Sequence, residues 1–420
     1  MSARRLDPAQ TILMIAPRPG LVSAARAMGL APLVVHSPAY LRAEHCEHAE
    51  AVRAVDYTNS EQLAAVLDEL SRTFGIDAVV SNTEPGLIPA GVAADHLGLP
   101  GLSAATHARV RNKVAMRTHL ESVGVSQIRW AAVNDKASLI TGLAQVRTPA
   151  ILKPADGSAS LGVAPINGTK DVDIWAALAH IDAISDPSGR RYSDILPITG
   201  WILEERLCGP EYSIETFAAD GRITTYAIVA KRTSNHFVEL GHLAPACIDD
   251  DLADAIRGEA TVVLAALGLR DGPAHTEVAC DSQGRPRLIE THTRTGGDRI
   301  VELVEAVTGC NLECLSVSWA ARLGPPPAAL PARGGAATRF LTGPAGIVTN
   351  VEGVEAARAV NGVVSVTIDV AAGSILKPTR SSWDRLGQII AVAASAAEAE
   401  EVCEHAAALV RVLVDAMGPQ

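Results

Sequence analysis

The sequence predicts an α/β chain, α+β overall, divided into two to three domains. Three observations predict it. At 420 residues the chain is too long for one compact core. Its first hundred residues alternate short apolar runs with helical spacing, the pattern of a parallel sheet flanked by helices. Later runs alternate with period two between Gly- and Pro-rich turns, as antiparallel strands do.

Apolar residues make up 48% and charged residues 20%, the balance of a folded rather than a disordered chain. A formal net charge of -11 leaves no basic surface for a nucleic-acid backbone, although it does not exclude nucleotides. No run approaches the ~18 apolar residues of a membrane span, and the residues before Pro17 lack the apolar stretch of a secretory signal. Seven cysteines in no paired framework suit a reducing compartment, so the expected location is the cytoplasm.

In chain order, residues 11–16, 32–36 and 77–81 read as buried strands, and 24–29 and 61–74 as helices. The segment Leu97-Gly-Leu-Pro-Gly101 closes this first region. A second region holds a helix at 109–123, strands near 150–154 and 201–206, and a hairpin at 274–295. The Pro-rich stretch 324–335 reads as a linker. Beyond it, residues 337–341, 346–351 and 363–370 have strand character, and 394–416 reads as an Ala-rich closing helix.

No Gly-x-x-x-x-Gly-Lys-Ser/Thr run is present, so any phosphate must be held by another device. The candidate is Ile151-Leu-Lys-Pro-Ala-Asp-Gly-Ser-Ala-Ser-Leu-Gly-Val163. A short strand delivers Lys153, and Gly157, Ser158, Ser160 and Gly162 let N–H and hydroxyl groups approach phosphate oxygens. The plainer reading is a Gly/Ser surface loop; a lysine at a strand end before Pro154 favours the phosphate role. In residues 201–215 a strand breaks at Gly209-Pro210 and resumes at Glu211. Backbone at such a hinge can meet an adenine edge and a nearby carboxylate a ribose hydroxyl. The same glutamates alone suit a solvated strand face.

Residues 274–294 read as strand, turn at Gln283-Gly284, strand. A turn centred between those two sets Glu277 opposite Glu290. It also puts His275, Glu277, Glu290, His292 and Arg294 on one face. Carboxylates directly opposed across a hairpin repel. A divalent cation between them removes that cost, and oxygen ligands favour magnesium. Arg294 on the same face is placed to stabilise a developing phosphoryl or oxyanion charge. Two alternatives stay open: a solvated hairpin surface, and zinc on the two histidines and two glutamates.

Taken together and in order, these motifs resemble the ATP-grasp superfamily, and within it the dipeptide-forming L-amino-acid ligases of the bacilysin-synthetase type. The likeness covers nearly the whole chain. It runs through Leu97-Gly-Leu-Pro-Gly101, Arg111-Asn-Lys-Val-Ala-Met-Arg117, the Lys153 loop, the Glu204 and Glu211 hinge, the Glu277/Glu290 hairpin and the Gly346, Gly353 and Gly362 pattern. It implies an ATP-grasp fold with an N-terminal parallel α/β pre-ATP-grasp domain at 1–105. An ATP-grasp domain at 106–323 follows, with a lid at about 150–205, and then a C-terminal mixed lobe at 336–420.

By position, the resemblance implies that Lys113 and Lys153 hold ATP phosphates and that Ser158 and Ser160 lie in the loop over them. Glu204, Glu205 and Leu207 match the adenine hinge, Glu211 the ribose ligand, and Glu277 and Glu290 the magnesium ligands. Arg294 matches the catalytic arginine. His292 stands where the family usually has Asn, a departure at the third metal position. Residues 235–245 resemble the segment facing the amino-acid pocket, with Glu239 for a substrate ammonium and His242 near the reacting carboxylate. Gly297 completes the substrate side, with Lys231, Arg232 and Asp298 as further candidates. Glu84 joins them on separate grounds, at the end of an N-terminal strand where open α/β sheets place ligand contacts.

The implied cofactors are ATP and two Mg2+ ions, with Mn2+ able to substitute. The implied partners are small-molecule substrates, with no nucleic acid and no membrane; dimers are common among these ligases. The implied reaction joins an amino-acid carboxylate to an amine through an acyl phosphate, releasing ADP and phosphate. Two other readings remain: a ligase or carboxylase of the purine-biosynthesis type, and a nucleotide-binding regulatory protein without catalysis.

Overall fold

The computed structural model describes residues 10–126, 128–173, 175 and 197–415. Strands β1 (Thr11–Ile15), β2 (Ala31–His36), β3 (Ala51–Ala54) and β4 (Ala78–Val80) form a parallel sheet in the order β3-β2-β1-β4. Every residue of β1 and β2 is buried, as expected where helices cover both faces. Helix Ser60–Phe74 starts where the Asn59 side chain accepts the N–H groups of Glu61 and Gln62, and it buries Leu63, Val66, Leu67 and Leu70. The helix expected at 24–29 instead runs Pro19–Ala27, because Pro19 at its first turn presets the helical φ.

The helix expected at 109–123 is two helices, Ala104–Arg111 and Lys113–Ser122. Asn112 separates them, its side chain accepting the N–H of Ala115. An asparagine that caps a new helix does not continue the old one. The break places Lys113 at a first turn facing the central cavity.

Strands β5 (Trp130–Val133), β6 (Ala150–Pro154), β7 (Ala164–Ile166) and β8 (Trp201–Glu205) form a small antiparallel sheet, ordered β5-β8-β6-β7. Of the expected lid, residues 174 and 176–196 lie outside the described residues.

The remaining strands are β9 (Glu211–Ala219), β10 (Arg222–Thr233), β11 (Glu239–Ala244), β12 (Gly272–Cys280), β13 (Pro286–His292), β14 (Gly335–Leu341), β15 (Gly346–Glu352), β16 (Val363–Ile368), β17 (Ile375–Leu376), β18 (Gly387–Ala393) and β19 (Arg411–Asp415). Eight of them make one sheet, ordered β13-β12-β9-β10-β11-β14-β18-β16, so it continues past the irregular segment 324–334 into the C-terminal region. One core under it joins Phe217, Val229 and Ala244 to Leu303, Ala336 and Ile390. β17, β15 and β19 form a separate three-stranded sheet.

The closing helix expected at 394–416 ends earlier, as Ala396–Leu409, and β19 follows. Val412 and Val414 alternate and pack against the C-terminal core, so β-branched residues pairing with β15 override the Ala-rich pattern. Gly353 begins the short helix after β15 with φ +80°, and an added Cβ would meet the Leu409 carbonyl oxygen at 1.8 Å. Gly353→Ala is therefore expected to cost at least ~1–3 kcal/mol, read as a lower midpoint in urea or thermal unfolding. Among the described residues no helix is long and apolar enough to cross a membrane. All seven cysteines are free thiols.

Candidate active site

The β12–β13 hairpin pairs Glu277 with Glu290 and His275 with His292, by a route the sequence does not reveal. The loop is centred on Gln283, with the Asp281 N–H donating to Arg285 O and the Gly284 N–H to Asp281 O. On that register Val278 faces Leu288, and Glu277 would face Ile289. A bulge past Val278 skips Ile289 and returns Glu290 to Glu277.

The paired carboxylates sit in a cavity of about 460 Å³, within the range of small-molecule sites. Each is held by a lysine from a different element. Lys113 Nζ lies 2.6 Å from Glu290, and Lys231 Nζ, on β10, lies 2.7 Å from Glu277 and 2.6 Å from Glu239. Burial alone would lower the pKa of His275, but Glu215 and then Glu277 raise it to about 10. The ring is 2.6 Å from Glu215 and 3.0 Å from Glu277, so it acts as a third buried cation.

Lys153 leaves the end of β6 and lies 2.7 Å from Glu204. The other oxygen of Glu204 accepts from Arg117 Nε at 2.7 Å, and Arg117 also donates to Leu288 O at 2.7 Å. Glu204 is thus committed to two buried cations and aligns Lys153 rather than offering a free acceptor at the hinge. Glu205 and Leu207 line the cavity beside it, with Glu205 tied to Arg129 at 2.5 Å. Glu211 also lines the cavity, and burial pushes its carboxyl up.

The loop after β6 folds over the cavity. Ala159, Ser160 and Gly162 all have positive φ, and Ser158 and Ser160 face the cavity. The Ser160 hydroxyl donates to Phe237 O at 2.7 Å, and the Ser382 N–H from the C-terminal region donates to Ala159 O at 3.1 Å.

Arg294 and His292 line the same cavity and share Glu84, which lies just outside its lining. Arg294 Nε donates to Glu84 at 2.8 Å, and His292 Nδ1 lies 3.1 Å from the same oxygen. The other ring nitrogen of His292 is 3.3 Å from Glu290. Both nitrogens face carboxylates, so His292 is placed to orient Glu290. Glu84 opens the helix Glu84–Leu97, whose N-terminal end favours a carboxylate.

Gly297 lines the cavity, as do Glu239 and Asp298, but His242 does not. Its side chain is wholly buried behind Glu239, 3.4 Å from that carboxylate, with no hydrogen-bond partner on either ring nitrogen. Arg232 points away and pairs with Glu400 and Glu404. Arg117, Glu215 and Arg385 belong to the site although the motifs did not single them out. Arg117 follows Lys113 by four residues on one helix face, and Glu215 follows Glu211 by four on one strand face, two spacings that could have signalled them. Arg385 arrives from the C-terminal region with no local signal.

Among the described residues no three His, Cys, Asp or Glu side chains converge as a metal-holding group. Glu277 and Glu290 do fit magnesium, which is commonly bound through one or two carboxylates with the rest of its shell from phosphate and water.

Close to the site, His107 packs behind β13 with Nδ1 2.6 Å from the Thr293 hydroxyl. Burial lowers its pKa to about 4, so the folded state carries it neutral. Its contribution to stability is fully present above its ordinary pKa of 6.5 and is lost as pH falls towards 4. Acid titration of the unfolding free energy should show this slope, and His107→Gln should flatten it.

Comparison with known proteins agrees with this geometry. Residues 22–101 match the ATP-grasp N-terminal domain and residues 146–302 the ATP-grasp domain. The chain therefore carries an ATP-grasp domain preceded by the N-terminal domain that accompanies it. Residues 339–415 match the L-amino acid ligase C-terminal domain 2. Alanine–anticapsin ligase of Bacillus subtilis is 28% identical over 269 residues, 60% of this chain and 55% of that enzyme. The chain thus spans little more than half the length of that relative. The L-amino acid ligase structure from Bacillus licheniformis superposes with a TM-score of 0.81 at 23% identity, covering 98% of this chain and all of that one. An ADP complex of N5-carboxyaminoimidazole ribonucleotide synthetase shares the fold more distantly, with a TM-score of 0.73 at 16% identity over 96% of this chain and 97% of that one.

Proposed function

We propose that the chain is an ATP- and magnesium-dependent ligase that joins an amino-acid carboxylate to an amine, forming an amide such as a dipeptide bond. One observation carries the reading: Lys113, Lys153, Glu277, Glu290 and Arg294 converge on a single cavity closed by the Ser158–Ser160 loop. Lysines and an arginine around opposed carboxylates suit the charge that spreads over a transferred phosphoryl group.

In this mechanism a substrate carboxylate oxygen attacks the γ-phosphorus of ATP, and the bond to ADP breaks. The amine nitrogen then attacks the acyl carbon, and phosphate leaves with the electrons of the broken C–O bond as the nitrogen loses a proton. Lys113 and Lys153 position the phosphates, with Glu204 and Arg117 fixing the direction of Lys153. Arg294, oriented by Glu84, is placed beside the reacting carboxylate. Magnesium bound by Glu277 and Glu290 would supply positive charge next to the phosphate oxygens. The Ser160 and Ser382 contacts hold the loop down, which protects an acyl phosphate from water.

The relatives named as L-amino-acid ligases support an amino-acid substrate over a purine-pathway one. The test is ADP release with ATP and magnesium across the amino acids, singly and in pairs, with product mass. Absence of ADP and condensed product for every pair removes the ligase reading. ATP binding without release would favour a regulatory protein.

A further inference from the structure

Two carboxylates meet in the wall of the cavity. Glu239 opens β11, and Asp298, with φ +50°, lies just before the helix Ile300–Thr308. The two carboxyls are close enough for the Glu239 charge to push that of Asp298 up. Each is gripped from behind by a cation. Lys231 holds Glu239 at 2.6 Å, and Arg385 holds Asp298 with two bonds of 2.6 and 2.9 Å. Arg385 is itself fixed, stacked 3.7 Å over the Phe340 ring and donating through Nε to Ser382 O.

The exposures of the two pairs show which partner is more open to the cavity. The side chains of Lys231 and Arg385 are 3% and 11% exposed, those of Glu239 and Asp298 17% and 28%. All four groups line the cavity and the cluster is nearly neutral as a whole, yet its more exposed members are the two acceptors. The donors behind that wall are already in use, so a substrate carboxylate finds no free partner here. A group rich in N–H does.

His242 adds a second, independent sign. It is wholly buried, aims Nε2 at Glu239 from 3.4 Å, and has no hydrogen-bond partner. An unpaired buried imidazole behind an acidic wall is costly unless Glu239 moves to serve both it and a ligand. Burial and the Glu239 charge also push the Asp298 carboxyl up, the mark of like charges crowded together. A cation placed between them relieves that crowding.

Resting on the ligase reading above, we propose that Glu239 and Asp298 form a two-carboxylate subsite that selects a substrate amino acid with a basic side chain. One carboxylate answers a single α-ammonium. The second, delivered by a different element and braced from the C-terminal region by Arg385, matches a further ammonium or a guanidinium. Asp298 is then the specificity-determining residue and Arg385 its positioning residue.

The experiment compares neutral and charged substrates of the same shape. Binding of L-lysine against L-norleucine, and of L-arginine against L-citrulline, is measured by calorimetry on the full chain with magnesium and ADP present. Charge-assisted hydrogen bonds predict about tenfold or tighter binding of at least one basic member over its neutral mate. Asp298→Asn should bring that ratio close to one. Arg385→Lys, which keeps the charge but loses the fork, should lower the ratio part of the way. Equal binding of both neutral mates, no binding of lysine and arginine, or an unchanged ratio in folded Asp298→Asn would overturn the subsite. Because binding is read without turnover, a chain that releases no ADP with any amino-acid pair loses the ligase reading while the ratio still decides the subsite.

Discussion

Replacing Glu290 by glutamine is expected to lower turnover by on the order of 10²- to 10³-fold while the protein stays folded. The change keeps the size of the side chain and removes its charge. That charge holds Lys113 at 2.6 Å and faces His292 at 3.3 Å. Burial alone would raise the carboxyl pKa, but Lys113 first, then His292, hold it well below the usual range, so it is ionised at neutral pH. A neutral amide at this position leaves Glu277 without its opposed partner and weakens any divalent cation between them. Steady-state ADP release and circular dichroism of the same sample check the prediction. Full activity in Glu290→Gln would exclude the hairpin pair as the centre of phosphoryl transfer.

Arg117→Met is expected to destabilise the protein by about 3–5 kcal/mol, the usual result of stripping one partner from a buried ion pair. Arg117 is 1% exposed and serves Glu204 and the carbonyl oxygens of Leu288 and Ile289 together. Its loss leaves the Glu204 charge to Lys153 alone and removes the donor shared by the Leu288 and Ile289 carbonyl oxygens. Urea unfolding measures the cost. The double variant Arg117→Met with Glu204→Gln should recover part of it, because the stranded charge is gone. Two single-variant effects that simply add would show that the pair is not the source of the loss.

The parts of this molecule that local chemistry determines could be read from the chain. The buried runs of β1 and β2 and the strand carrying Lys153 follow from periodicity and turn residues alone. Asn112 was open to the same reading, since a capping residue inside a helical pattern marks a boundary, but the apolar spacing around it hid the break. The bulge at Ile289 has no such mark. It is set by the neighbouring strand, and the pairing of Glu277 with Glu290 came out correctly because a shift in loop centre and a shift in register cancel. His242 shows the limit on the other side. The resemblance implied a shared pocket, and the register shift at the start of β11 does bring His242 to the face of Glu239 and Lys231, yet its side chain lies buried outside the cavity lining. Arg385, nearly ninety residues beyond Asp298, owes its place to the sheet topology, which no local pattern encodes.

The eight-stranded sheet that crosses segment 324–334 bears on how this architecture can be altered. A boundary drawn in that segment looks permissive, being irregular and rich in proline. A chain ended there would leave β11 with a bare row of backbone donors and acceptors where β14 now pairs, the kind of edge that recruits other chains. It would also remove Phe340 from beside His242 and Arg385 from Asp298. The C-terminal portion is therefore not a module to be exchanged among relatives by splicing at the proline-rich stretch. Recombination that respects this protein would have to carry β11, β14 and the acidic wall between them as one inherited piece.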